Sequence, residues 1–207
     1  MNKKQAKQFQ DLLLRFSQET SDENRRKVED EIWKQYGSEQ VAFVLDMSGF
    51  SILTRKYGII HYLSMVRRMQ LIAQPIIESY DGSVVKFEAD NCFAVFPDTL
   101  PAVNAAIALQ LAFNASNLLT SDELDVHISC GIDYGKILMI GEEDFFGDAV
   151  NKACKLGEDV AAAGEILVTQ EAMQRVPPEA DIKRREVNIS ISGISIPAYS
   201  VEYNPQA

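Results

Sequence analysis

Apolar residues recur along this chain in two different periods, and the switches between them divide it into elements. Residues 4–16 are mostly polar, with Phe9, Leu12, Leu13 and Phe16 at a spacing that predicts a helix. "TSDENRRKVEDEIWKQYG" predicts a second helix, opened by Ser21 or Asp22 and stopped at Gly37. "VAFVLDM", residues 41–47, is a near-continuous apolar run of strand length, as expected of a buried central strand. "GFSILTRKYG" and "IIHYLSMVRRMQLIAQPIIESY" return to three- and four-residue spacing and predict two more helices. Residues 83–97 read as a β-hairpin, and residues 100–116 as an Ala/Leu-rich helix with Pro101 near its start. "DVHISCGIDYGKILMIG" alternates as one or two strands broken near Gly135. "GDAVNKACKLGEDVAAAG" predicts a helix ended at Gly164, "EILVT" a strand, and "VNISISGISIPAYSVEY" a terminal strand pair.

The order is β-α-α-β-β-α-β, then a helix, a strand and a hairpin. That predicts an α+β fold, a ferredoxin-like βααββαβ core with helices packed on a mostly antiparallel sheet. An N-terminal helical extension, residues 1–37, precedes a main domain over residues 38–207. The extension reads either as a pair of solvated helices or as a dimerisation or signal-input device.

The 207-residue chain is long enough to bury about 70% of its unfolded surface without staples. Its formal net charge of −10 argues against binding nucleic acid through a basic field. A polyphosphate ligand would need local cations or metals to offset that charge. Cys92, Cys130 and Cys154 have no CxxC spacing and are odd in number, so they read as reduced thiols of a cytoplasmic protein. No run of about 18 apolar residues predicts a membrane span. His61 and His127 are far apart, which gives no support to a histidine-rich zinc site.

Candidate chemistry begins in "GSVVKFEADNCFAVFPD", residues 82–98. Strand alternation puts Lys86, Glu88 and Asp90 on one face and Val85, Phe87 and Ala89 on the other, with Asp90-Asn91 as favoured two-residue turn chemistry. A solvated hairpin face explains these charges as well as a ligand does. Four residues along a strand separate Lys86 and Asp90 by roughly 13 Å, too far to grip one small group. Asp46 leaves the buried strand just before Gly49, where it reads as a cation ligand or as a cap for the next helix. If strand 41–46 neighbours the hairpin, Asp46 and Asp90 converge, and a divalent ion would relieve their repulsion. Oxygen ligands favour magnesium or manganese over zinc.

Three segments, "FVLDMSGFS", "GSVVKFEADNCFAVF" and "CGIDYGKILMIGEEDFFGDAVNKACKLGEDVAAAGEILVT", together resemble the catalytic domain of class III nucleotidyl cyclases, the adenylate and guanylate cyclases. The resemblance covers roughly residues 38–203. It implies that Asp46 and Asp90 hold two divalent cations, Mg2+ or Mn2+, with the Met47 carbonyl as a further ligand. Gly49, Phe50 and Ser51 match the turn whose amides meet the phosphates. Lys86 and Asp144 match the purine-reading pair, and Lys with Asp is the adenine type. Lys donates to adenine N1 and Asp accepts from the 6-amino group, a pattern guanine inverts. Asn151 and Lys155 match the pair that orients the ribose and stabilises the transition state; four apart on a helix, they share a face. In this family the sites lie between two subunits, which implies a homodimer with two shared sites, ATP as substrate, and cyclic AMP and pyrophosphate as products. Lys86 and Asp90 of one chain then serve different sites.

There are four departures from the family pattern. Lys155 replaces an arginine and loses its two-pronged contact. Ser192, Gly193 and Ile194 stand where the terminal hairpin usually carries a lysine, with Lys183, Arg184 and Arg185 upstream. Ala89 replaces a glycine. Asp144 lies among the extra acids of "EEDFFG". These changes imply weak activity, a manganese preference or a need for activation. The alternatives are a nucleotide-binding regulatory or dimerisation module without turnover, and a guanylate cyclase, which Lys86 disfavours. The chain carries no GG(D/E)EF sequence of a diguanylate cyclase.

Overall fold

The apolar run at 41–47 belongs to β1 (Gly37–Met47), which is covered on both faces. The computed structural model describes residues 3–191 and 194–203, without the side chains of residues 3, 4, 50–52, 191 and 194. Alternation along β1 sends Val41, Phe43, Leu45 and Met47 into the larger core, beneath α3 (Phe50–Tyr57), α4 (Ile59–Ser79) and α5 (Thr99–Asn117). Ala42 and Val44 point the other way, into a smaller core under α6 (Asp148–Cys154). Asp46 continues that second face.

The remaining strands are β2 (Ser83–Glu88), β3 (Asn91–Phe96), β4 (Ile128–Ile140), β5 (Asp144–Phe146), β6 (Ile166–Thr169), β7 (Arg184–Ile191) and β8 (Ile194–Val201). The sheet order is β2-β3-β1-β4-β6-β8-β7, with β5 hairpinned onto β4. Every pairing is antiparallel except β4 with β6. The mostly antiparallel α+β sheet with a ferredoxin-like core is therefore as the periodicity predicts. The short α7 (Gln170–Met173) follows β6.

Three local readings are corrected. The segment at 128–140 is one continuous strand, because β1 pairs with it residue for residue from Ile128 to Leu138 and bridges Gly135. The helix after Gly147 does not run on to Gly164. It stops at Cys154 and widens into a π-helical turn, Lys155–Val160. Close packing accompanies the widening: a Cβ at Gly131 on β4 would lie 2.1 Å from the Ala153 carbonyl and 2.4 Å from the Gly157 nitrogen. Finally, the hairpin turn is Ala89-Asp90 rather than Asp90-Asn91. Glu88 pairs with Asn91, and Ala89 takes φ 52. Asp90 is thus a turn residue, off the strand that carries Lys86.

The N-terminal helices α1 (Lys3–Gln18) and α2 (Asp22–Tyr36) share a small core of their own. Phe9 and Leu12 meet Val28, Ile32 and Tyr36, and the cluster closes on Ile140 at the end of β4. No helix among the described residues is long and apolar enough to cross a membrane.

Candidate active site

Two groups of side chains gather on the α6 side of the sheet. The first lies where β1 ends. Asp46 pairs across the sheet with Asn91 on one side and Ser129 on the other. The hairpin turn is tied to the same end, since the Met47 N–H donates to the Asp90 carbonyl at 3.1 Å. Burial first, then the charges of Asp90 and Glu158, push the Asp46 carboxyl up to about 7, against a lowering hydrogen bond from the Met47 N–H. Burial and the nearby Asp90 carboxylate likewise push the Tyr62 hydroxyl, on α4, up to about 12. Directly across the strand pair from Asp46, the buried Oδ1 of Asn91 has no hydrogen-bond partner.

This donor set fits a hard divalent cation. It is all oxygen, its two carboxylates repel, and a buried acceptor beside them lacks a donor. Among the described residues no group of three or more His, Cys, Asp or Glu side chains could cage a metal. A cation here would be held by one or two carboxylates. Gly49, at φ 90, turns the chain from β1 into α3, so the backbone amides of Phe50 and Ser51 open that helix. An anion is favoured there by the unpaired N–H groups.

The second group surrounds a cavity of about 270 Å3 lined by Lys86, Phe93, Asp144, Asn151 and Cys154, among others. Lys86 Nζ lies 3.2 Å from Asp144 Oδ1 and 3.0 Å from Glu88 Oε2, and 5.2 Å from the centre of the Phe93 ring. Burial lowers the Lys86 pKa, but the two carboxylates more than offset this and leave it raised. The Phe145 N–H donates to the same Asp144 Oδ1 at 3.0 Å. The Lys155 N–H donates to the Asn151 carbonyl, so the two side chains keep their four-residue helical spacing despite the π turn. Lys155 Nζ pairs loosely with Asp159 at 3.9 Å. Burial, followed by Glu158, pushes the Cys154 thiol up to about 12, so it lines the cavity as a neutral group.

The structure therefore brings Lys86, Asp144 and Asn151 onto one cavity, and places Asp46 and Asp90 together at the end of β1, outside its lining. Tyr62 escaped sequence reasoning because it is one apolar-face position among many in α4. Glu158 escaped it because nothing local to residues 155–160 shows which strand end they approach. Of the upstream cations in the terminal hairpin, Arg184 lies over the Tyr199 ring and Arg185 pairs with Glu165 at 3.8 Å, both at the far end of β7 from residues 191–194. Ser192 and Gly193, with the side chain of Ile194, lie outside the described residues. A larger cavity, about 950 Å3, separates α1 from the β4–β5 turn and is bordered by Phe9, Leu13, Glu142, Asp144 and Phe146.

No protein-family model matches the chain. Over 138 residues, 66% of its length, the chain is 29% identical to a putative adenylate cyclase 3 of Rhizobium meliloti, of which it spans 23%. Among solved structures, it superposes on the adenylyl cyclase CyaB of P. aeruginosa with a TM-score of 0.70 and 20% identity, covering 81% of this chain and 96% of that one. An adenylate/guanylate cyclase/hydrolase of Silicibacter pomeroyi matches with a TM-score of 0.69 and 23% identity, covering 81% and 98%. A guanylyl cyclase is among the matched structures as well. With the sheet order, the extra β5 hairpin and the two groups of side chains already in view, these similarities give the chain the fold of the class III nucleotidyl cyclase catalytic domain.

Proposed function

We propose that this chain is an adenylate cyclase, converting ATP to 3′,5′-cyclic AMP and pyrophosphate at sites shared between two copies. The observation that carries the reading is the Lys86–Asp144 pair at 3.2 Å on a cavity that also holds Asn151. A Lys N–H donates to adenine N1, and Asp144 Oδ2 accepts from the 6-amino group. Guanine reverses both demands. Asn151 orients the ribose, while the Lys155 ammonium offsets charge developing on the α-phosphoryl oxygens. The 3′-oxygen bonds to the α-phosphorus as the bond to pyrophosphate breaks, and the 3′-hydroxyl proton leaves to solvent. Two divalent cations, Mg2+ or Mn2+, held by Asp46, Asp90 and the Met47 carbonyl, would supply the acidification of that hydroxyl and the triphosphate clamp. The amides of Phe50 and Ser51, following Gly49, receive the phosphates. The separation of Asp46 and Asp90 from the purine-side cavity supports a homodimer in which each site takes one group from each copy.

Incubation with Mn2+ and either ATP or GTP, followed by detection of cyclic product, tests this. Cyclic AMP from ATP, lost in Asp46→Ala and Asp90→Ala, is the expected result. Product that survives Asp46→Ala overturns the metal assignment. Nucleotide binding without turnover under any metal favours the second reading, a regulatory module, which the lysine at position 155 motivates.

A further inference from the structure

Glu88 has no part in the chemistry above, yet it makes the shorter of the two contacts to the purine-reading lysine, 3.0 Å against 3.2 Å for Asp144. It closes the hairpin opposite Asn91 and, by strand alternation, shares the Lys86 face. We infer that Glu88 is a positioning residue for purine selection: it holds the Lys86 ammonium away from full closure on Asp144, so that both remain open to adenine. This rests on the base-reading role of Lys86 proposed above.

The reasoning is a count of donors and acceptors. An ammonium has three N–H groups. Glu88 takes one and Asp144 Oδ1 takes a second, which leaves the third for adenine N1. Asp144 Oδ1 already takes both the Lys86 ammonium and the Phe145 N–H, so the 6-amino group is assigned to Oδ2. Without Glu88, the ammonium has one carboxylate partner and a second donor to place. Asp144 Oδ2 is the acceptor next to it, and a fork across both oxygens removes the group that accepts the 6-amino hydrogens. Lys86 Nζ sits over the Phe93 ring at 5.2 Å from its centre, between the two carboxylates. The Glu88 side chain is 67% exposed, so its ion pair contributes little to folding. Its loss should register in nucleotide choice and not in stability.

The test uses the full chain with Mn2+ and two nucleotides that cannot cyclise, 3′-deoxy-ATP and 3′-deoxy-GTP, with binding measured by calorimetry. Glu88→Ala should weaken 3′-deoxy-ATP about tenfold, the value of one hydrogen bond to a charged group, and leave 3′-deoxy-GTP nearly unchanged. Glu88→Gln, which keeps an acceptor, should recover most of the loss. In a Lys86→Ala background Glu88→Ala should add nothing, because its effect passes through the lysine. The melting temperature should stay within about 1 °C of the parent. If Lys86→Ala erases the purine preference while Glu88→Ala retains it in full, the role of Glu88 is refuted and the base-reading pair stands. If Lys86→Ala itself keeps the preference, both fall together.

Discussion

Asp133→Asn should make this protein more stable at neutral pH and leave it almost unchanged in acid. Asp133 lies on β4 with 1% of its surface exposed. It accepts hydrogen bonds from the Thr169 hydroxyl and the Tyr134 N–H, and faces Lys152 at 3.9 Å. Lys152 is held more closely by Asp148, at 3.0 Å. Burial dominates these stabilising contacts, with Glu171 adding repulsion, and pushes the Asp133 carboxyl up to about 6. The folded state therefore holds this proton more tightly than the unfolded chain does. Stability contributed by the group falls as pH rises from about 4, the unfolded value, through about 6, and is level above that. A shift of roughly two units corresponds to about 3 kcal/mol across the window. Asparagine keeps an acceptor for Thr169 and removes the buried charge. It gives up the long Lys152 contact, an attraction already contained in the pKa of about 6, while Asp148 still balances that lysine. The net gain at pH 7.5 is therefore about 3 kcal/mol, fading toward pH 4.5. Urea denaturation of both proteins across that range reads the difference directly. A difference that does not change with pH, or a variant that loses ground as pH rises, would show that the ion pair outweighs burial and refute the reasoning.

Three further outcomes follow from other parts of the molecule. Ala89→Gly should stabilise the fold by about 0.5 kcal/mol in denaturant titration, since left-handed strain of about 1 kcal/mol outweighs the entropy lost by glycine; φ at this turn is 52. Phe9→Ala should cost the N-terminal helices about 3 kcal/mol of packing. Phe9 stacks on Phe146 at 6.2 Å and meets Tyr36 edge-on at 5.1 Å, so hydrogen exchange should rise across residues 3–36 and not in β1 or β4. Lys155→Arg should raise kcat on the order of tenfold with KM unchanged, the worth of one added charge-assisted hydrogen bond in the transition state; steady-state kinetics with Mn2+ and ATP reads it.

The parts of the fold that follow a single period were legible in the sequence. β1 reads as a buried strand because helices cover both its faces, and Lys86 and Asp144 could be paired because three segments fall in register with one family. What was hidden depends on close approach between elements far apart in the chain. Residues 148–163 keep a helical period throughout, so the π turn at 155–160 appears only when Gly157 is seen against Gly131 on β4. The turn at Ala89-Asp90 was displaced by one residue because Asp-Asn is the better turn sequence, and alanine carries no mark of a positive φ. Tyr62 and Glu158 approach the two aspartates from separate elements, and neither has a local signal.

The charges around these two groups bear on how a triphosphate is received. Each lysine near the purine-side cavity already faces carboxylate: Lys86 has Glu88 and Asp144, Lys152 has Asp148 and Asp133, and Lys155 has Asp159. At the end of β1, the Asp90 and Glu158 carboxylates raise the proton affinity of Asp46, Asp90 also raises that of Glu158, and none of them adds positive charge. A chain of net charge −10 with its local cations already balanced offers a polyphosphate little attraction of its own. On this reading Lys86, Asp144 and Asn151 recognise the nucleoside, and affinity for the phosphates comes from divalent charge carried on Asp46 and Asp90. The raised proton affinity of Asp46, caused by burial and then by the Asp90 and Glu158 carboxylates, marks the same deficit of positive charge.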